Sequence, residues 1–139
     1  NTATVSGTGI TPVTAAETVN AEAAPNLAIT KSVSPVPVTE NGTLTYTFRI
    51  QNYGSVAATN TTGVVITDTF APVLNNLTAA LNGTAWTATT DYTYNETTGT
   101  FSSTAGAITV PAATYTQDST TGAWVVTPGE STLVITGTV

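Results

Sequence analysis

Three polar residues stand where alternation along a strand calls for apolar ones. In Leu27 to Val33, the residues Leu27, Ile29, Lys31 and Val33 share one face, and Ala28, Thr30 and Ser32 share the other. In Val64 to Phe70, the inward set is Val64, Ile66, Asp68 and Phe70. Asn1 has the parity of Ala3 and Val5, so it joins an apolar face if that segment docks on a body. An amine, a carboxylic acid and a carboxamide are thereby aimed at a core, whereas Arg49 falls on the Thr-rich face of its own strand.

Burying Lys and Asp as ions costs several kcal/mol each unless they pair well, and burial lowers a Lys pKa while raising an Asp pKa. A neutral Lys31 amine is a nucleophile. Held against an Asn carboxamide, it attacks the carbonyl carbon, ammonia leaves and an isopeptide bond remains. Asp68 takes the catalytic part by polarising the carbonyl and shuttling the proton. The plainer reading is a buried Lys31–Asp68 salt bridge, or a lysine that extends its ammonium to water. Parity leaves the acceptor open between Asn1 and Asn52, which shares the face of Tyr46, Phe48 and Ile50.

Little other chemistry is available. The 139 residues include no Cys, His or Met, which removes thiolate nucleophiles, imidazole bases and nitrogen or sulfur metal ligands. The eight acids are scattered without the spacing of a metal loop, so no metal site and no cofactor are expected, and the chain is not read as an ordinary enzyme. Two basic residues against a net charge of -6 leave no footprint for nucleic acid or an anionic membrane, and no apolar run is long enough to span a bilayer.

The elements that must position the three residues are strands. About a quarter of the chain is Thr, and Val, Ile, Tyr, Phe and Trp supply much of the apolar content, a composition suited to pleated sheets. Thr2 to Ile10 alternates loosely and residues 11–26 read as a linker containing Pro12 and Pro25. Leu27 to Val33 opens the body and stops at Ser34-Pro35-Val36-Pro37. Glu40-Asn41-Gly42 turns the chain into the clearest strand, Thr43 to Gln51. Two Thr-Thr-Gly loops, at 97–99 and 120–122, each precede an aromatic-bearing strand and predict hairpins, and Pro128-Gly129 leads into a final run. Short strands with turns every ten or so residues predict an all-β, immunoglobulin-like β-sandwich.

The run Asn26-Leu27-Ala28-Ile29-Thr30-Lys31-Ser32-Val33-Ser34-Pro35, with Gly42-Thr43-Leu44-Thr45-Tyr46-Thr47, Ile50-Gln51-Asn52-Tyr53-Gly54 and Val65-Ile66-Thr67-Asp68-Thr69, resembles the surface-protein repeat called domain of unknown function eleven. The resemblance covers most of residues 26–139. It implies tandem immunoglobulin-like sandwiches on bacterial or archaeal surfaces, each closing with a strand like Asn-Thr-Ala-Thr-Val. Here those letters are residues 1–5, and the body ends at Thr138-Val139, where such a repeat would continue. Related domains of the collagen-adhesin B type join a first-strand Lys to a last-strand Asn beside an acid. By resemblance those roles fall on Lys31, Asn1 and Asp68, favouring Asn1 over Asn52.

These observations predict a donor strand at 1–10, a linker at 11–26 and a sandwich body at 27–139 lacking its last strand. The displaced strand would be available for donor-strand exchange. The expected function is a structural subunit of an extracellular, cell-surface fibre or pilus, polymerising head-to-tail with copies of itself and sealed by Lys–Asn isopeptide bonds. A tandem stalk or adhesin module with an internal crosslink is the first alternative. A carbohydrate-binding module is the second, with a surface polysaccharide as partner and Trp86, Trp124, Tyr92, Tyr94 and Tyr115 as the aromatics to serve it. The same aromatics otherwise pack the sandwich. Residues 11–26 span up to roughly 50 Å when extended, enough for folding back or for donation.

Overall fold

The computed structural model describes residues 2–17 and 23–139. Its organising pair is β4 (Thr43–Asn52) and β12 (Gly129–Thr138), antiparallel over their full length from Thr43 opposite Thr138 to Asn52 opposite Gly129. Period-two alternation buries Leu44, Tyr46, Phe48 and Ile50 of β4 and Leu133 and Ile135 of β12, and leaves Thr and charged residues outside.

Around that pair a five-stranded sheet runs β3-β4-β12-β6-β7, with β3 at Leu27–Ser34, β6 at Asn75–Leu81 and β7 at Thr84–Ala85. A three-stranded sheet packs on it in the order β5-β9-β8, from Thr67–Thr69, Thr100–Ser103 and Tyr92–Asn95. The shared core includes Phe70, Leu74, Phe101, Ile108, Leu133 and Ile135, none more than 2% exposed. Each contributes about 1.5–3 kcal/mol through removal of its apolar surface from water. The Phe70 ring lies 4.7 Å from that of Tyr46 and 6.1 Å from those of Tyr94 and Phe101. The described residues thus form an all-β, immunoglobulin-like sandwich.

Both Thr-Thr-Gly loops are hairpin turns built alike. Asn95 Oδ1 accepts hydrogen bonds from the N–H of Thr97 and Thr98, and Gly99 adopts φ 72°. Asp118 Oδ1 does the same for Thr120 and Thr121. The first turn joins β8 to β9; the second joins β10 (Thr114–Gln117) to β11 (Trp124–Thr127), a separate two-stranded sheet. A third hairpin, β6–β7, turns at Asn82-Gly83, both with positive φ. An Asn-Gly pair suits such a turn because both of its residues tolerate positive φ.

The amino-terminal segment departs from expectation. β1 (Thr2–Gly7) is a strand, but it pairs with β2 (Ile10–Ala16), which begins at the last residue of the segment read as donor strand and runs into the segment read as linker. Pro12 argued against a strand there, yet a two-stranded ribbon has only edges, where a missing donor is tolerated. Asn1 lies outside the described residues.

Candidate functional site

The site is the open side of the sandwich between β3 and β5. β3 pairs only with β4 and β5 only with β9 among the described residues, so each presents a free edge. Register places Ile29 opposite Ile50, Lys31 opposite Phe48 and Val33 opposite Tyr46. Opposed residues share a face, so Leu27, Ile29, Lys31 and Val33 lie on the core side, as parity required. Ile66 and Phe70 are buried on either side of Asp68, which faces inward with them.

Facing inward does not bury these residues, because among the described residues no strand lies over β3. Leu27, Ile29 and Val33 are 36%, 53% and 38% exposed, and the side chains of Lys31 and Asp68 are 41% and 19% exposed. The expectation of a buried ion pair is therefore corrected for this chain by itself. The Lys31 ammonium forms a salt bridge with Asp68 Oδ2 across the gap between the two sheets. It also sits 4.8 Å from the centroid of Tyr46, 5.4 Å from that of Phe70 and 5.5 Å from that of Phe48, each within cation–π range. Asp68 Oδ1 accepts from its neighbour's N–H, that of Thr69, at 2.9 Å, which orients the carboxylate.

Two apolar depressions lie along this edge. One, of about 180 Å³, is lined by Leu27, Ile29, Ile50, Val64 and Ile66. The other, of about 280 Å³, is lined by Val33, Pro35, Leu44, Tyr46 and Pro72. Lys31 stands between Ile29 of the first and Val33 of the second along β3, so the surface runs apolar, ionic, apolar along one strand.

Asn52 is placed elsewhere and employed otherwise. It pairs with Leu27, four residues along β3 from Lys31, a separation of roughly 13 Å along a strand. Fully buried, its carboxamide donates to Val56 O and Pro111 O and accepts from the N–H of Asn26 and of Gly54. These bonds tie the entry of β3 to the exit of β4, and they leave no freedom to reach the Lys31 amine. The rival acceptor is a structural residue.

Other polar groups lie away from this edge. Arg49 pairs with Glu130 at 2.6 Å on the outer face, which raises the arginine pKa and holds the glutamate below its usual value. Of the aromatics considered for sugar stacking, Tyr92 is buried, and Trp86 and Tyr94 pack against the core. Tyr115 and Trp124, on β10–β11, are 44% and 64% exposed, so packing does not claim every one. No family model matches this chain, and neither the curated proteins nor the solved structures yield a match.

Proposed function

We propose that this chain is a structural subunit of an extracellular cell-surface fibre, assembled head-to-tail through strand addition, with Lys31 as crosslinking nucleophile and Asp68 as the acid that promotes the bond. The observation that carries the reading is β3, a full-length strand whose core-side face is apolar and uncovered on both sides of a preformed Lys–Asp pair. A strand laid on that edge would recover main-chain hydrogen bonds and bury Leu27, Ile29 and Val33. Likeness of the chain's motifs to surface-repeat domains supports the same reading.

Covering the pair starts the chemistry. Once water is excluded, the ammonium gives its proton to the carboxylate, because a neutral amine and a neutral acid are cheaper to bury than two ions. The amine then attacks the carboxamide carbon of an incoming Asn, for which Asn1 is the candidate. The new C–N bond forms, the C–NH₂ bond breaks and ammonia departs with protons relayed through Asp68. The exposed pair of the lone chain would stay unreactive until a strand covers it, which restricts crosslinking to assembled junctions.

Denaturing electrophoresis with intact mass on every band tests this reading. A ladder of multimers, each junction lighter by one ammonia, is the expected result, and Lys31→Ala should abolish both ladder and mass loss. Monomers carrying the loss would replace the fibre with a stalk module crosslinked internally. Unmodified monomers from native material would overturn the covalent part.

A further inference from the structure

On the fibre reading just given, we infer that the element donated to the open edge is the whole β1–β2 hairpin rather than β1 alone. Cross-strand pairs share a face, so Ala3, Ala15, Val5 and Val13 form an apolar side, and Thr2, Thr4 and Thr14 lie with Ala16 on the other. Every residue of both strands is exposed, with Val5 at 61% and Val13 at 62%. Half of this apolar face belongs to β2, so donation of β1 alone would break an existing ladder and leave Val13 and Ala15 in water.

Charge and edge chemistry point the same way. Residues 2–16 contain no Asp, Glu, Lys or Arg, so docking them on a second copy meets no repulsion, although each chain carries a net charge of -6. Pro12 withdraws one donor from β2, whereas β1 has no proline and keeps the fuller free edge. β1 is therefore the strand that joins the open edge at β3 and β5, and β2 forms the outer margin. A two-stranded ribbon is marginal by itself in water, which suits an arm that gains its stability at the junction.

A disulfide decides between hairpin and single strand. The chain has no cysteine, and Thr4 and Thr14 are opposed on the polar face, within the span a disulfide bridges. The variant T4C/T14C, oxidised, should assemble within about twofold of its reduced form; assembly only after reduction would show that β1 leaves β2 and would overturn the inference. In the same assay Val13→Lys should weaken assembly about tenfold or more, matching Val5→Lys, and Thr14→Lys on the opposite face should leave it within about twofold. An effect of Val5→Lys without one of Val13→Lys would also overturn it. Removal of residues 1–17 keeps the two levels apart: assembly that survives this deletion defeats the fibre reading itself, whereas its loss with an inactive locked hairpin defeats only the hairpin.

Discussion

β3 and β4 lie side by side, carry the same alternation and meet residue for residue, yet they end in different environments. In β4 the inward residues Leu44, Tyr46, Phe48 and Ile50 are 3–7% exposed; in β3 the inward residues Leu27, Ile29 and Val33 are 36–53% exposed. Composition does not separate them. What differs is the layer opposite: β5, β8 and β9 face the middle of the large sheet and stop short of its edge. An apolar pattern states which face seeks cover, and the covering layer determines whether the lone chain supplies it.

The largest effect should come from breaking the covered side. Phe48→Ala and Leu133→Ala should each cost about 3–5 kcal/mol in urea unfolding, because a packed interior cannot collapse into the cavity. Asn52→Ala comes next, at about 2–3 kcal/mol, since it strands two backbone donors and two carbonyls whose partner was the carboxamide. On the open side, Ile29→Thr should change the unfolding free energy of the unassembled chain by less than about 1 kcal/mol and yet impair assembly. A cost as large as that of Phe48→Ala would mean that β3 is covered within one chain, and the contrast between the strands would collapse.

The smallest effect is a titration at β10–β11. Asp118 is held below its ordinary value of 3.8 by the N–H groups of Thr121 and Thr120. A depressed folded pKa means that its contribution is present above the ordinary value and fades as pH falls through the lower one. Acidification through that range should therefore loosen the 118–122 turn, read as faster amide exchange at Thr120 and Thr121, and leave the β4–β12 core unchanged. Asp118→Asn, which retains the accepting oxygen, should remove the pH dependence and keep the turn.

Much of this was legible in the chain. Alternation located β3 and β4, with their facing sides, because side-chain direction in a strand is a local property. The Thr-Thr-Gly loops announced their hairpins, and the structure traces each turn to an Asx side chain and a glycine with positive φ, both short-range features. β6 and β7 escaped notice, since Asn75-Asn76 and Ala79-Ala80 carry little strand character and their pairing with β12 is non-local. β2 escaped because Pro12 marks a strand as doubtful without excluding an edge.

Residue types and parity by themselves determined that Lys31 and Asp68 would face inward from different strands. Only the tertiary structure decided that they meet across the two sheets, that Asn52 is occupied by four hydrogen bonds at the far end of β3, and that the meeting place stands open to water. Facing is set within a few residues of one strand, whereas burial depends on where a second sheet ends, and no local pattern encodes that distance.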